Sequence, residues 1–208
     1  TLPEQAQLFA EYDLTATVAT LEGLQIFHQT GEKCRQPVRV MLKLDTGMGR
    51  IGVQPEDAVP FARQAQRMSG IKIQGLFTHF ATADEADSTF TLTQLDRLQQ
   101  ALAGLQAAGL DLPIVSAANS AATDSFPAAF FNAVRPGIIL YGLPPDPAMK
   151  LHLALKPVMS LVTRIVFIKH VPAGTPVNYG CTFRTATPTW LATLPIGYAH
   201  GYSRHRSN

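Results

Sequence analysis

Residues 38–80 read VRVMLKLDTGMGRIGVQPEDAVPFARQAQRMSGIKIQGLFTHF. Two β-like apolar runs, Val38 to Asp45 and Ile71 to Phe80, flank a segment that Pro55-Glu56-Asp57 opens as a helix. That helix runs to about Met68, and Gly70 closes it. Strand, helix and strand in one short stretch make a βαβ unit, whose two strands lie parallel in one sheet. The pattern extends in both directions. Thr15 to Thr20 (TATVAT) precedes it, and Leu112 to Ala118 (LPIVSAA) and Ala133 to Leu140 (AVRPGIIL) follow. Between these, Ser88 opens a helix with Leu95, Leu98, Ala101, Leu102 and Leu105 in a stripe at helical spacing, ending near Gly109. Five strands alternating with helices predict an α/β fold with a parallel sheet, either open and doubly wound or closing into a barrel.

The pattern changes beyond Gly142. Leu143-Pro-Pro-Asp-Pro reads as a linker, and Val158 to Val171, Pro172-Ala-Gly-Thr and Trp190 to Gly197 read as antiparallel strands and a turn. The expected organisation is five βα units over residues 1–145, followed by the start of an all-β second domain over 146–208.

Composition narrows the function. Charged residues are 15% of the chain, against about 25% in an average soluble protein, so there is much to bury and disorder is excluded. Lys plus Arg number 17 against 15 for Asp plus Glu, with no basic run to track a phosphate backbone, which argues against nucleic acid as a partner. No apolar stretch is long enough to span a membrane and the first residues lack a secretion signal, so the expected location is cytoplasmic. Cys34 and Cys181 belong to no Cys-x-x-Cys or Cys/His cluster and read as structural thiols of a reducing compartment.

Chemistry in a parallel α/β sheet gathers at the C-terminal strand ends. Nearly every strand end here supplies a polar residue: Lys43 and Arg50, His79, Ser116 with Asn119 and Ser120, and Arg135. Singly, a strand-end His is most simply structural and an Arg beside Pro-Gly a surface charge. Converging on one rim they describe a cationic pocket for a small anion such as a phosphate. Gly47, Gly49 and Gly52 spell the dinucleotide fingerprint, but no acidic residue lies at the ribose-binding distance and the helix begins only at Pro55. The other phosphate loop, G-x-x-x-x-G-K-[ST], is absent.

Six segments carry a resemblance: Lys43-Leu-Asp-Thr-Gly-Met-Gly-Arg-Ile-Gly, Thr78-His-Phe-Ala-Thr-Ala-Asp, Ala118-Asn-Ser-Ala-Ala, Arg135-Pro-Gly-Ile with Leu140-Tyr-Gly, Tyr179-Gly, and Pro195-Ile-Gly-Tyr-Ala. In order and spacing they resemble the alanine racemases. The resemblance implies a (β/α)8 barrel that binds pyridoxal 5′-phosphate, a following β-rich domain, and a head-to-tail homodimer that interconverts L- and D-alanine, an isomerase supplying D-alanine for peptidoglycan. Five strands rather than eight, with no Lys-Ala-Asn-Ala-Tyr-Gly segment to hold the cofactor covalently, lead to the expectation of an internal piece of such an enzyme, a partial barrel and inactive by itself.

Carried over position by position, the resemblance makes Tyr179 one of two acid/base groups, working in the partner subunit's site. His79 and Arg135 support it, and Arg135 faces the cofactor's pyridine nitrogen. Asn119, Ser120, Gly137, Ile138 and Tyr141 fall where the family holds or borders the phosphate. Arg50 faces the cofactor's phenolic oxygen and the substrate carboxylate. Lys43, which the residues alone leave open as a Schiff-base lysine of an aldolase, matches a position that is carbamylated in many members. The family's Ile-Gly-Tyr-Ala-Asp-Gly stands here as Ile196-Gly-Tyr-Ala-His200-Gly, and no role is assigned to His200. The alternatives are a serine or broad-specificity racemase and a non-catalytic pyridoxal-phosphate carrier, against which the second domain counts.

Overall fold

The computed structural model describes residues 3–203. The polar run Arg204 to Asn208 lies outside the described residues. Two compact units divide after Val158. The first is built on a four-stranded parallel sheet in the order β1 (Thr15–Val18), β2 (Val38–Lys43), β3 (Ile71–Phe77), β4 (Ile114–Ser116). Its helices are α1 (Ala6–Glu11), α2 (Leu21–Cys34), α3 (Ala58–Gln66), α4 (Thr89–Ala107) and α5 (Ser120–Ser125).

Local chemistry sets these elements. Thr20 caps α2 by accepting from Gly23 N at 3.0 Å, and Leu24, Phe27 and Gly31 form its buried face. A 3₁₀ turn over Pro55–Asp57, with proline in its first position, leads into α3, which buries Ala58, Phe61, Ala62 and Ala65. In β2 the period of two puts Val38, Val40 and Leu42 in the core, while Arg39, Met41 and Lys43 take the other face. The register slips between Val40 and Met41, where a bulge in β3 inserts Gln74.

The α/β class and the following β part hold, but the fifth strand does not form. One parallel bridge joins Ser116 to Ala133, and Arg135 N donates to Ala118 O at 2.9 Å. Pro136 then has no N–H to continue the ladder, and the chain turns into a 3₁₀ helix over Ile138–Tyr141. Strand ends are also shorter than the apolar runs suggest: β3 stops at Phe77, which leaves Thr78 and His79 in the loop above it.

Residues 146–158 pack with the sheet unit. The buried Asp124 carboxylate accepts from His152 N at 3.0 Å and Leu153 N at 2.8 Å, and Val158 N donates to Tyr141 O.

The second unit contains two antiparallel pairs, β5 (Phe167–Val171) with β8 (Thr189–Thr193) and β6 (Pro176–Val177) with β7 (Phe183–Arg184). The strand expected over Val158 to Val171 is confined to its last five residues, because before Val166, which donates to Thr193 O, no partner strand runs alongside among the described residues. Cys34 and Cys181 are free and exposed, so neither packs as a core thiol. No helix among the described residues is long and apolar enough to cross a membrane.

Candidate active site

The ends of β2, β3 and β4 converge on Arg135. Its Nη1 donates to Ser116 Oγ at 2.5 Å, and its Nη2 to Thr78 O at 2.6 Å and Ala117 O at 3.5 Å. His79 Nδ1 lies 3.4 Å from Nη2. An arginine can only donate, so Nδ1 is the acceptor and the imidazole proton sits on Nε2. The guanidinium stands 5.0 Å from the Phe77 ring centroid, and Lys43 Nζ stands 5.4 Å from the same ring. Below Arg135 a cavity of about 340 Å³ opens on the sheet face, lined by Thr17, Met41, Gln74, Phe77 and Ser116. That volume is within the range of small-ligand pockets.

The electrostatics follow from this crowding. Lys43 is only 2% exposed and donates to Leu44 O at 2.5 Å. Burial pulls its pKa down to about 8; Asp45 opposes the shift, and the charges of Arg135 and Arg50 add to it. Burial likewise pushes the His79 pKa below its ordinary 6.5, helped by Arg135, Arg50 and Lys43. Burial also lowers Arg135. Burial disfavours the Asp45 carboxylate, but the N–H groups of Gly49 and Gly47, at 3.0 Å each, and the Lys43 charge overcome it and hold its pKa down. One carboxylate thus faces three cationic side chains and a neutral imidazole. The surplus suits an anionic ligand.

The glycine run belongs to a turn. Asp45 N donates to Val53 O and Val53 N to Lys43 O, which closes a loop with Arg50 exposed near its tip. At Gly52 (φ 142°) a Cβ would fall 2.3 Å from Asp45 N, so only glycine fits. The N–H groups of Gly47 and Gly49 already point at Asp45, which rules out this loop as a dinucleotide cradle.

A second donor group stands at the start of α5. Asn119 caps the helix by accepting from Ala122 N at 3.0 Å, and its Nδ2 reaches Phe80 O at 3.4 Å. Ser120 Oγ accepts from Gly137 N at 2.7 Å, which leaves the hydroxyl proton to donate elsewhere. A Cβ on Gly137 would meet only Ser120 Oγ, at 3.7 Å, so no close approach of protein atoms requires glycine there. Ile138 and Tyr141, at the two ends of the 3₁₀ helix, are exposed. The first N–H groups of such a turn have no partner within it.

Tyr179 belongs to the second unit, where it is 83% exposed. Asn178 before it has φ 59° and ψ −173°, a region that costs a residue with a side chain about 1–3 kcal/mol. Gly180 (φ 79°) and Cys181 (φ 51°) are also left-handed. His200 Nδ1 accepts from Gly197 N at 3.3 Å, a local bond that closes the 3₁₀ turn Tyr198–His200.

Three residues escape the sequence reading. Phe77 carries both cations, and its signal is an aromatic at the end of a strand. Gln94 and Thr91 are fully buried on α4, polar residues on the face of an otherwise apolar stripe.

The family model of the alanine racemase N-terminal domain matches residues 1–145, and that of the alanine racemase C-terminal domain matches residues 158–208. The chain is 45% identical to the alanine racemase of Halothermothrix orenii over 207 residues, and 41% identical to that of Symbiobacterium thermophilum over 206. It covers 55% of each relative, so it spans about half the length of the curated relatives it matches. Among solved structures, alanine racemase of Clostridium difficile 630 superposes with a TM-score of 0.85 at 35% identity, over 98% of this chain and 54% of that one. Histidine racemase of Leuconostoc mesenteroides superposes at 0.81 with 29% identity, over 98% of this chain and 55% of that one.

Proposed function

The chain belongs to the alanine racemase family, and from that premise we propose that it forms part of a pyridoxal-phosphate-dependent isomerase interconverting L- and D-alanine in the cytoplasm and supplying D-alanine for peptidoglycan. The observation that carries this reading is Arg135, a guanidinium locked on Ser116, Thr78 and Ala117 with a neutral His79 beside it. The residues present fit the cofactor. A surplus of cations and the Ser120 hydroxyl suit its phosphate, and a fixed donor suits its ring nitrogen. When bound, pyridoxal phosphate supplies an electron sink that acidifies the amino-acid Cα–H.

Racemisation then needs a proton removed from one face of Cα and another returned to the opposite face, which takes two acid/base groups. Tyr179 is one of them, serving the site of the second subunit in a homodimer. Arg135 donates and never accepts, so it would hold the cofactor's ring nitrogen unprotonated and the bound cofactor would supply only a weak sink. A weak sink favours return of the proton to Cα over transfer of the amino group. Asn119, Ser120, Gly137, Ile138 and Tyr141 would border the phosphate, and Arg50 would take the substrate carboxylate.

The test is to load the whole enzyme of which this chain forms part with pyridoxal phosphate and follow L- and D-alanine by chiral chromatography, with serine and histidine in parallel. Alanine is expected to equilibrate fastest. Faster histidine turnover would favour the second reading, suggested by the likeness to histidine racemase. Retained cofactor with no Cα exchange on any of the three would leave a carrier.

Lys43 is the carbamylation site in this reading. Its neutral amine attacks carbon dioxide, a C–N bond forms, and one N–H proton goes to solvent, leaving a carbamate anion among Arg50 and Arg135. A pKa of about 8 supplies a share of neutral amine near physiological pH, and the neighbouring Arg50 and Arg135 charges favour the anion. Carbon-13 bicarbonate should therefore give a carbamate NMR signal that strengthens from pH 7 to 9 and is lost in Lys43→Met; an identical signal in that variant would place the adduct elsewhere.

A further inference from the structure

We propose that Gln94 is a positioning residue of the racemase site, a clamp on α4 that holds the loop carrying His79 and the loop carrying Arg50 in one fixed relation. The inference rests on the racemase reading and adds to it a residue that touches neither cofactor nor substrate. Glutamine is seldom buried, yet Gln94 is 0% exposed. Its Oε1 accepts from Ala81 N at 2.9 Å, and its Nε2 donates to His79 O at 3.1 Å and to Thr46 Oγ1 at 3.2 Å. Ala81 N can only donate and His79 O can only accept, so the amide has a single orientation here. The peptide groups on both sides of Phe80, itself buried, are thereby fixed, and with them the Cα from which the His79 ring projects toward Arg135.

The other arm of the amide runs in one direction. Thr78 Oγ1 donates to Leu44 O at 3.1 Å, so its single proton is committed. In the 2.7 Å contact between the two hydroxyls Thr46 must therefore be the donor, and Thr46 in turn accepts from Gln94. The chain Gln94→Thr46→Thr78→Leu44 O lies wholly in the interior. It joins α4 to the ends of β2 and β3, and passes through Thr78, whose own carbonyl receives Arg135. One turn on, Arg97 Nη1 donates to Thr46 O at 2.8 Å, a second hold on the Arg50 loop that does not touch His79. A buried, fully satisfied network of this kind defines one arrangement where an apolar core would tolerate several.

The two holds separate experimentally. Gln94→Met keeps the length of the side chain and removes all three bonds. In the cofactor-free protein, Ala81 amide exchange should quicken at least tenfold and the His79 ring titration should move toward its ordinary value. In the loaded enzyme, kcat/KM for alanine should fall roughly 10²-fold, the penalty for reacting groups misplaced by about an ångström, with cofactor affinity unchanged. Arg97→Met should raise KM and leave the His79 titration alone. Gln94→Glu, which keeps the acceptor for Ala81, should protect that amide and still lose turnover; it also serves if Gln94→Met does not fold. A lower melting temperature in both Gln94 variants with wild-type His79 titration and wild-type kcat/KM would overturn the clamp. If the wild-type enzyme fails to racemise any amino acid, the racemase reading falls by itself, and the Ala81 and His79 measurements still decide the clamp.

Discussion

Tyr179→Phe should slow interconversion of the alanine enantiomers by roughly 10² to 10⁴-fold, the usual contribution of a general acid/base, with cofactor binding intact. The substitution removes one oxygen from a side chain that is 83% exposed, so it disturbs no packing within the second unit. Its cost to stability should stay inside about 0.5 kcal/mol, as for surface changes generally. The unusual backbone at Asn178, φ 59° and ψ −173°, presents this ring from a turn rather than a strand, and strain of that kind gathers at functional sites. If Tyr179 serves one face only, solvent deuterium should still enter Cα of the enantiomer served by the other base. Inversion should collapse in both directions. A tyrosine that merely packs an interface predicts instead an even, modest loss or a shift toward monomer. Deuterium wash-in followed separately for D- and L-alanine, with the dimer mass measured alongside, distinguishes these. Near-normal exchange and inversion for both enantiomers would show that Tyr179 is not the proton carrier.

The sequence is informative where a periodic constraint acts over several residues. Val38, Val40 and Leu42 alternate because one face of β2 meets the helices, and that alternation is plain in the order of the residues. Leu95, Leu98, Ala101 and Leu105 mark the buried face of α4 in the same way. Single-residue events escape. An apolar run from Ala133 to Leu140 looks like a strand until the missing N–H of Pro136 is set against the ladder it would have to continue. Val158 to Ile165 lacks a partner strand among the described residues, which no local pattern announces. The sequence already argues against the glycine run as a dinucleotide loop, and the Asp45 carboxylate holding Gly47 and Gly49 N–H gives the reason in space. Gln94 and Phe77 are legible only as anomalies, because their meaning depends on His79 O, Thr46 and the two cations, which are distant in sequence and adjacent in space. The rim residues Lys43, His79 and Ser116 are readable because a parallel sheet brings its strand ends together, whereas Arg135 reaches the same rim from a single bridge, Ser116 to Ala133, and its own N–H to Ala118 O.

Arg135 gives the sharpest electrostatic test. Arg135→Met deletes donors to Ser116, Thr78 and Ala117, and each buried acceptor left without a partner costs about 1–3 kcal/mol, so the melting temperature should drop well below wild type. Arg135→Lys keeps the charge but not the fork, and should recover only part of that loss. The two variants must diverge at His79. Burial is the first cause of its lowered pKa and the Arg135 charge the second, so the Met variant should titrate closer to 6.5 while the Lys variant stays low. The sign of the stability effect follows. With the folded value below the unfolded 6.5, the unfolded chain binds more protons between them, so wild-type stability rises with pH across that window and is lost as pH falls through it. In protein kept free of bicarbonate, where the Lys43 amine is unmodified, Lys43, about 8 folded against 10.5 unfolded, adds a second rise between those values. Both windows should narrow in Arg135→Met. Turnover should fall at least about 10²-fold in that variant, the usual loss on removing one preorganised electrostatic donor. NMR titration of the His79 ring in the three proteins, with thermal melts from about pH 5 to 11 to span both windows and an alanine turnover assay, reads all of this. Coincident His79 midpoints in wild type and Arg135→Met would mean that burial alone keeps the imidazole neutral, and the charge coupling between Arg135 and His79 would have to be given up.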